Sequence, residues 1–543
     1  MRLRSNVRVP MRDGVDLSAD IYLPDGPGPF PAVLSRTPYN NTLPWLVGRG
    51  RALSDAGYAV VIQDCRGRFD SRGDYEPFRD EGPDGVDTIA WLVAQSWCNG
   101  RIGMIGRSYS GWTQWTAAPE APPGLAAIVP RVMAADLHRG LAWRGGAFNL
   151  GVLLTWGLNT SGASMQEIGV QDWVEAFRNL PLRDAADRTA QDISFWRDWV
   201  GHPTKDAYWQ AVDAEARHGD IEVPALIMGG WYDLYSDDVF RSFAAMRASV
   251  HQGARLSRLI VGPWPHSLSA STRTGSLDFG ARSMIDLEAE EQRWFERWLK
   301  GVDNGVERDA PVRIFIMGTN TWRDEHEWPL ARTDWQTWYL HSGGRANTLK
   351  GDGTLSTDGP GDEPPDTFVY DPAYPVPTTG GANCCSPELV PWGPYDQRDV
   401  EMRPDVLCYT SAPLAHDLEV TGPIRVVLWA ATDGPDTDWT GKLVDVWPSG
   451  RAINLCDGIV RARARSRLTS SCPSSRPRPA DRRRASRPPA TARFQRGSRR
   501  RVRSASISGV WSPGGWGVPS SALVAGAAAA ARSARSSART AMA

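Results

Sequence analysis

Hydrophobic and polar positions alternate with a period of two at the start of the chain, in Val7-Arg8-Val9-Pro10-Met11 and again through residues 15–23. Strand side chains point to opposite faces in turn, so two such runs around Arg12-Asp13-Gly14 predict a β-hairpin. After a Pro/Gly loop at 24–31 the pattern changes to short continuous apolar runs separated by helical periods. Residues 32–34 and 58–62 read as buried strands. Residues 47–56, stopped by Gly57, read as a helix, as do 84–95, with Val86, Ile89, Ala90 and Val93 on one face. Further strands are predicted at 125–129, 225–228 and 259–261, and further helices at 237–250 and 287–300. A hairpin followed by alternating strands and helices predicts an α/β sheet with an antiparallel edge.

Two stretches break this rhythm. Residues 135–221 have helical periods and many tryptophans, among them Trp143, Trp156, Trp173 and Trp209, and read as a helical insertion. From 329, short β-rich runs such as 335–340 and 424–429 alternate with Gly/Pro/Asp loops, which suggests a sandwich or jelly roll. The expected organisation is an α/β domain in two parts (1–134 and 222–328), a helical cap (135–221), an incomplete jelly-roll domain (329–463) and a tail (464–543).

Composition changes this picture mainly at the tail. The 543 residues carry a net charge of −1, yet residues 461–543 hold 19 arginines against the single acid Asp481. An acidic body therefore precedes a strongly basic end. The tail is built from Arg, Ser, Ala, Pro and Gly without periodicity, and such a composition does not bury a core. It reads either as a disordered nucleic-acid or membrane tail or as GC-rich coding sequence out of frame. With only four lysines in the whole chain, the second reading is preferred, so neither a nucleic-acid nor a membrane partner is expected. No apolar run reaches the ~18–20 residues of a transmembrane helix, no apolar signal core follows Met1, and a cytoplasmic location is expected. Seven cysteines without metal-ligand spacing, Cys384-Cys385 included, are expected to be buried free thiols.

The chemistry concentrates in Gly103-Met104-Ile105-Gly106-Arg107-Ser108-Tyr109-Ser110-Gly111. An apolar strand meets a helix there through a sharp turn, with small residues two places to either side of Ser108. This is a nucleophile elbow with serine at 110 where glycine is usual. An ordinary strand-to-helix turn can look the same, so the weight falls on partners. A serine hydroxyl needs a base, and the base needs an acid to orient it. On sheets that carry an elbow these follow in the order Ser, Asp or Glu, His, on loops after later strands. Asp233 follows the strand at 225–228 and His266, one of eight histidines, follows the strand at 259–261. Ser108, Asp233 and His266 are therefore the candidate catalytic set. The backbone N–H of Tyr109 is one candidate oxyanion donor, and the phenol of Tyr39, on the loop after the third strand, is the other.

The order and wording of Arg36-Thr37-Pro38-Tyr39, Asp64-Cys65-Arg66-Gly67, Trp97-Cys98-Asn99-Gly100, Gly106-Arg107-Ser108-Tyr109-Ser110-Gly111, Gly230-Trp231-Tyr232-Asp233 and Gly262-Pro263-Trp264-Pro265-His266 resemble the cocaine-esterase-like (CocE/NonD-type) branch of the X-Pro dipeptidyl-peptidase serine hydrolases. The resemblance extends over nearly all of residues 5–463. It implies an α/β-hydrolase sheet with a helical cap and a C-terminal, galactose-binding-like jelly roll. It accommodates a non-glycine residue at Ser110 and implies a tyrosine hydroxyl in the oxyanion hole, matching Tyr39. The implied activity is cleavage of an ester or amide through a covalent acyl-enzyme, with no metal or organic cofactor.

In the amino-ester hydrolase branch, acids two and three places after the aspartate pair with a free amine of the substrate. Here those places hold Tyr235 and Ser236, while Asp237 and Asp238 read as the first turn of a helix. A small-molecule ester with a neutral or bulky acyl group is expected ahead of a peptide-like substrate. X-Pro dipeptidyl-peptidase or other aminopeptidase-type activity is the alternative, and an inactive hydrolase-fold binding protein is the alternative from another class. Trp143, Trp156 and Trp231 are candidate walls of an acyl pocket, although tryptophans at helical spacing also suit a core. Homodimerisation is left open.

Overall fold

The amino-terminal hairpin consists of β1 (Arg2–Pro10) and β2 (Asp16–Leu23), paired antiparallel around a turn in which Gly14 takes φ +84°. In this computed structural model the described residues are 1–467, apart from Ile168, Val170, Ala190 and Gln191, together with 522–525 and 537–542. There follow β3 (Phe30–Thr37), α1 (Pro44–Asp55), β4 (Ala59–Asp64), α2 (Glu81–Val93), β5 (Cys98–Arg107), α3 (Tyr109–Ala117) and β6 (Leu125–Arg131). An insertion then carries the hairpin β7 (Trp143–Arg144) and β8 (Ala147–Phe148) and the helices α4 (Leu150–Thr160), α5 (Trp173–Arg178), α6 (Trp196–Gly201) and α7 (Ala207–Gln210). The main sheet resumes with β9 (Leu226–Gly230), α8 (Ser236–Arg247) and β10 (Arg258–Gly262). The small hairpin β11 (Arg273–Thr274) and β12 (Leu277–Asp278), α9 (Leu287–Lys300), β13 (Val312–Ile316) and β14 (Thr321–Glu325) complete this part.

Ten strands lie in the order β1-β2-β4-β3-β5-β6-β9-β10-β13-β14. Pairing is parallel from β4 through β13 and antiparallel at both ends. The second antiparallel edge, the β13–β14 hairpin, is an addition to what the hydrophobic pattern shows. The central strands are apolar at consecutive positions because both faces are covered. Leu34, Met104, Ile128 and Leu259 join one core with α2, α3 and the insertion, while their neighbours Val33, Ile105, Val129 and Ile260 join the other with α1 and α9.

The C-terminal part forms one eight-stranded sheet from β15 (Gln336–His341), β16 (Thr354–Ser356), β17 (Leu407–Ser411), β18 (Ile424–Val427), β19 (Asp438–Val446), β20 (Ala452–Arg461), β21 (Ala522–Ala525) and β22 (Ser537–Met542). A short helix, α10 (Arg398–Glu401), precedes β17. Two segments of the stretch set apart as a tail are thus strands. β21 lies between β18 and β15, and β22 lies between β17 and β19. The run at 522–525 is apolar but isolated in a stretch without periodicity, and 537–542 carries no regular alternation, so neither stands out in sequence. The rest of the tail expectation lies outside the described residues.

Two positions at the carboxyl ends of the central strands carry measurable consequences. A Cβ on Gly106 would lie 2.3 Å from the Cβ of Ser110 and 2.9 Å from its carbonyl oxygen, so strand and helix meet there with no room for a methyl group. Gly106→Ala is expected to cost about 1–3 kcal/mol in denaturant unfolding, the usual penalty of overpacking; wild-type stability in this variant would contradict the contact. Asp64, buried at the end of β4, accepts a hydrogen bond from the Asn41 N–H at 2.7 Å, and burial pushes its carboxyl up to about 7. With its folded pKa above the unfolded value of about 4, its contribution to stability is full below that value and lost as pH rises through about 7. Asp64→Asn should flatten the decline of stability over that window by up to a few kcal/mol, read from urea midpoints across pH. An unchanged slope would rule this account out.

Candidate active site

Ser108 joins β5 to α3 with φ +55° and ψ −126°. A side chain at positive φ costs on the order of 1–3 kcal/mol and persists only where its surroundings over-determine it. Here they do. The Ser108 N–H donates to the Arg131 carbonyl at 2.8 Å, and its own carbonyl accepts from the N–H groups of Gly111 at 2.7 Å and Trp112 at 3.1 Å. One turn on, the buried amide of Gln114 bonds the carbonyls of Ser110 at 2.8 Å and Val129 at 3.2 Å and accepts from the Val129 N–H at 2.8 Å. α3 is thereby fastened to β6. The elbow side chain itself remains partly exposed, while Tyr109 and Ser110 are buried.

Beneath the elbow runs a buried polar chain. Arg36, fully buried on β3, pairs with Glu81 at 3.0 Å and Asp84 at 3.4 Å, and its Nε donates to Gln63 at 2.8 Å. The Tyr109 hydroxyl donates to Glu81 at 2.6 Å and accepts from the Phe78 N–H at 2.7 Å. Burial pushes the Glu81 carboxyl up, and the Arg36 charge opposes that. The Tyr109 phenol is committed to structure. Its backbone N–H, in the first turn of α3, is among those a helix leaves without an internal partner.

Asp233 and His266 stand on the loops that follow β9 and β10. These strands are parallel and in register, Gly229 against Val261, so both loops leave the same end of the sheet. The loops are tied by N–H bonds from Trp231 to the Gly262 carbonyl at 2.9 Å and from Tyr232 to the Trp264 carbonyl at 3.0 Å. Gly230 permits this approach, since a Cβ there would fall 2.1 Å from the Trp264 carbonyl oxygen. Fully buried, Asp233 places Oδ2 2.6 Å from His266 Nδ1 and accepts from the Tyr235 N–H at 2.8 Å on Oδ1. A carboxylate so placed favours the tautomer with the proton on Nδ1, which leaves the Nε2 lone pair free for a proton or a metal.

Tyr39, two residues past β3, accepts a hydrogen bond on its hydroxyl from Trp156 Nε1 at 2.9 Å. Burial raises this phenol's pKa, and hydrogen bonds with Trp156 and Ser108 work against that rise. The structure therefore brings Tyr39 to Ser108 across 69 positions of sequence.

A narrow cavity opens at Ser108 and is lined by Tyr39, Phe78, Met133, Leu153, Trp156 and Tyr235, with further apolar contacts from the insertion. Of the three candidate tryptophans, Trp156 on α4 faces it. Trp143 does not: it packs on Phe148 with ring centroids 4.9 Å apart and donates to the Trp199 carbonyl at 3.1 Å, inside the core of the insertion. Trp231 is likewise turned away, stacked on Phe240 at 5.3 Å and bonded to the Phe315 carbonyl at 2.8 Å. Trp143 lies on β7 and Trp231 on the loop after β9, so Trp156 alone of the three stands on a helix.

The remaining wall comes from the C-terminal part. Cys384 and Cys385, on the long loop between β16 and α10, line the same cavity and are joined by a disulfide between adjacent residues. The expectation of buried free thiols is corrected for this pair; being neighbours, they need no fold to bring them together, and Cys385 is exposed. Cys65 and Cys98 are buried free thiols, and Cys472 lies outside the described residues. The sequence distance from Ser108 leaves no local signal that this loop reaches the site.

Comparison with known proteins shows the family and the fold. The X-Pro dipeptidyl-peptidase (S15) family model matches residues 13–268, and that of the X-Pro dipeptidyl-peptidase C-terminal non-catalytic domain matches residues 304–510. Cocaine esterase of Rhodococcus sp. (strain MB1 Bresler) is 41% identical over 491 residues, which are 86% of this chain and 84% of that one. Among solved structures, an α-amino acid ester hydrolase superposes with a TM-score of 0.74 at 26% identity, covering 99% of this chain and 88% of the other. An aminopeptidase from the marine sediment archaeon Thaumarchaeota archaeon shares the fold, with a TM-score of 0.75 at 24% identity and the same coverage. An α/β-hydrolase sheet with a C-terminal non-catalytic domain, at this identity to cocaine esterase, makes the chain a serine hydrolase belonging to the X-Pro dipeptidyl-peptidase (S15) family.

Proposed function

We propose that the enzyme hydrolyses small-molecule esters with a neutral, bulky acyl group, through a covalent intermediate on Ser108. The observation that carries this reading is the pairing of His266 with Asp233 at 2.6 Å on loops that share one sheet end with a strained, partly exposed serine. In the first step His266 Nε2 takes the Ser108 proton as Oγ attacks the carbonyl carbon. The buried Asp233 carboxylate stabilises the imidazolium that forms. The Tyr39 hydroxyl and the Tyr109 N–H donate to the oxyanion, where charge develops only in the transition state. His266 then protonates the leaving oxygen, and a water activated by the same nitrogen releases the acid.

The acyl preference follows from the wall. Among the described residues lining the cavity there is no carboxylate, and a desolvated substrate ammonium would need one. Tyr235 lines the cavity two places after Asp233, while Asp238 is buried against Arg241 in the first turn of α8. Burial holds the Asp238 carboxyl up at about 6. Phe78, Trp156 and Tyr109 present parallel rings, with Phe78 5.5 Å from Trp156 and 4.6 Å from Tyr109, a surface suited to an aromatic or branched acyl group.

Ser108→Ala should abolish hydrolysis of p-nitrophenyl benzoate, and full residual activity would remove Ser108 from the reaction. Tyr39→Phe should lower kcat by about 10²–10³-fold with little change in KM, the signature of a donor used in the transition state; an effect confined to KM would make Tyr39 a packing residue. On a panel, the benzoate ester should be turned over far faster than an X-Pro p-nitroanilide, and the reverse order would favour the peptidase alternative.

A further inference from the structure

The donor atoms of Cys384, Cys385 and His266 all lie within 4.8 Å of one another. We propose that, once the Cys384–Cys385 bond is reduced, the two thiolates and His266 Nε2 form a binding site for a thiophilic divalent cation, Zn²⁺ by the chemistry of its donors, and that occupancy withdraws His266 from hydrolysis. The second half rests on His266 being the base proposed above; the site itself does not.

Three observations support the site. Zinc binds sulfur at about 2.3 Å and imidazole nitrogen at about 2.0 Å, so tetrahedral donors stand roughly 3.5–4 Å apart. A set already within 4.8 Å needs side-chain rotation and no movement of the sheet. Secondly, His266 is prepared as a ligand. Its Nδ1 is held by the buried Asp233 carboxylate at 2.6 Å, the carboxylate–histidine arrangement that fixes the tautomer and raises the basicity of zinc-bound imidazoles. Thirdly, the cysteines occupy a cavity wall, with Cys385 exposed, so reductant and ion both have access. Cys₂His with a fourth position open is an established zinc coordination set.

The chemistry balances with one co-reactant, a dithiol reductant. Its thiolate attacks one sulfur of the pair, the S–S bond breaks, and a second exchange leaves two protein thiols and the oxidised, cyclic disulfide of the reductant. Two electrons and two protons pass to the protein. Zn²⁺ then displaces the two thiol protons and takes the Nε2 lone pair. The atom that must accept the Ser108 proton is then occupied. The pair thus acts as a redox-gated inhibitory site: oxidised, it is an apolar wall; reduced, it is a chelator that includes the base.

The test uses the full-length protein, oxidised or reduced and desalted without oxygen, with Zn²⁺ binding read by competition against a chromogenic chelator in the absence of substrate. Reduction should add one tight Zn²⁺ per chain over the oxidised protein. This increment should vanish in C384S/C385S and weaken at least tenfold in His266→Gln. Ester hydrolysis by reduced wild-type protein should fall at least tenfold with Zn²⁺ and recover with EDTA, while the oxidised enzyme is unaffected. Equal Zn²⁺ binding by oxidised and reduced wild-type protein, a comparison that needs no variant, would overturn the site. So would an increment that survives C384S/C385S. Because binding is measured without turnover, loss of the Ser108 reading would leave this outcome intact, and the two can fail separately.

Discussion

The close crossing of β5 and α3 is the constraint on which the site depends. Gly106 and Ser110 approach so nearly that the intervening residue has no choice but positive φ, and that conformation lifts the Ser108 side chain out of the packing around it. A relaxed turn would let it settle among buried neighbours. The strain is held by bonds that have other partners to satisfy: Gln114 closes the ladder between α3 and β6, and the Arg131 carbonyl receives the Ser108 N–H. Tyr39, Asp233 and His266 are placed relative to this fixed point by the loops that follow strands of the same sheet.

The polar chain from Arg36 through Glu81 to Tyr109 shows how such a fixed point is supported from below. A buried charge is tolerable when paired and hydrogen-bonded, and Glu81 meets both conditions, with a guanidinium on one side and a phenol on the other. The chain also distinguishes two neighbouring tyrosines by their hydroxyl partners. The Tyr109 hydroxyl is bound to Glu81, whereas that of Tyr39 has Trp156 and Ser108 as partners.

What could be read from sequence tracks what is local. The elbow announces itself through glycine and small residues at fixed offsets, and the strands before Asp233 and His266 through continuous apolar runs; their observed bounds differ from the periodic reading by a residue or two. β14 escaped because an antiparallel strand added at the far edge has no α/β rhythm to mark it; β13, the parallel partner of β10 after α9, fits that rhythm and was missed all the same. Trp143 falls on β7 and Trp156 on α4 within a stretch that reads as helical throughout, and only the packing of the insertion decides which of them sees the cavity. Cys384 and Cys385 carry no signal of their destination at all, since Cys384 lies 118 positions after its neighbour His266. Contacts across domains depend on tertiary geometry, which periodicity does not encode.

The loop that carries those cysteines belongs to neither sheet. It reaches the cavity from the C-terminal part, which also touches the insertion where the Arg461 N–H meets the Gly145 carbonyl at 2.8 Å. The elbow and the two paired loops are thus anchored in the ten-stranded sheet, while the cavity wall beside them is partly supplied by a segment whose sequence the sheet does not constrain. The shape of the cavity and the stability of the sheet are consequently written in different parts of the chain. Drift in this loop can reshape the cavity wall without disturbing the strained turn that carries Ser108.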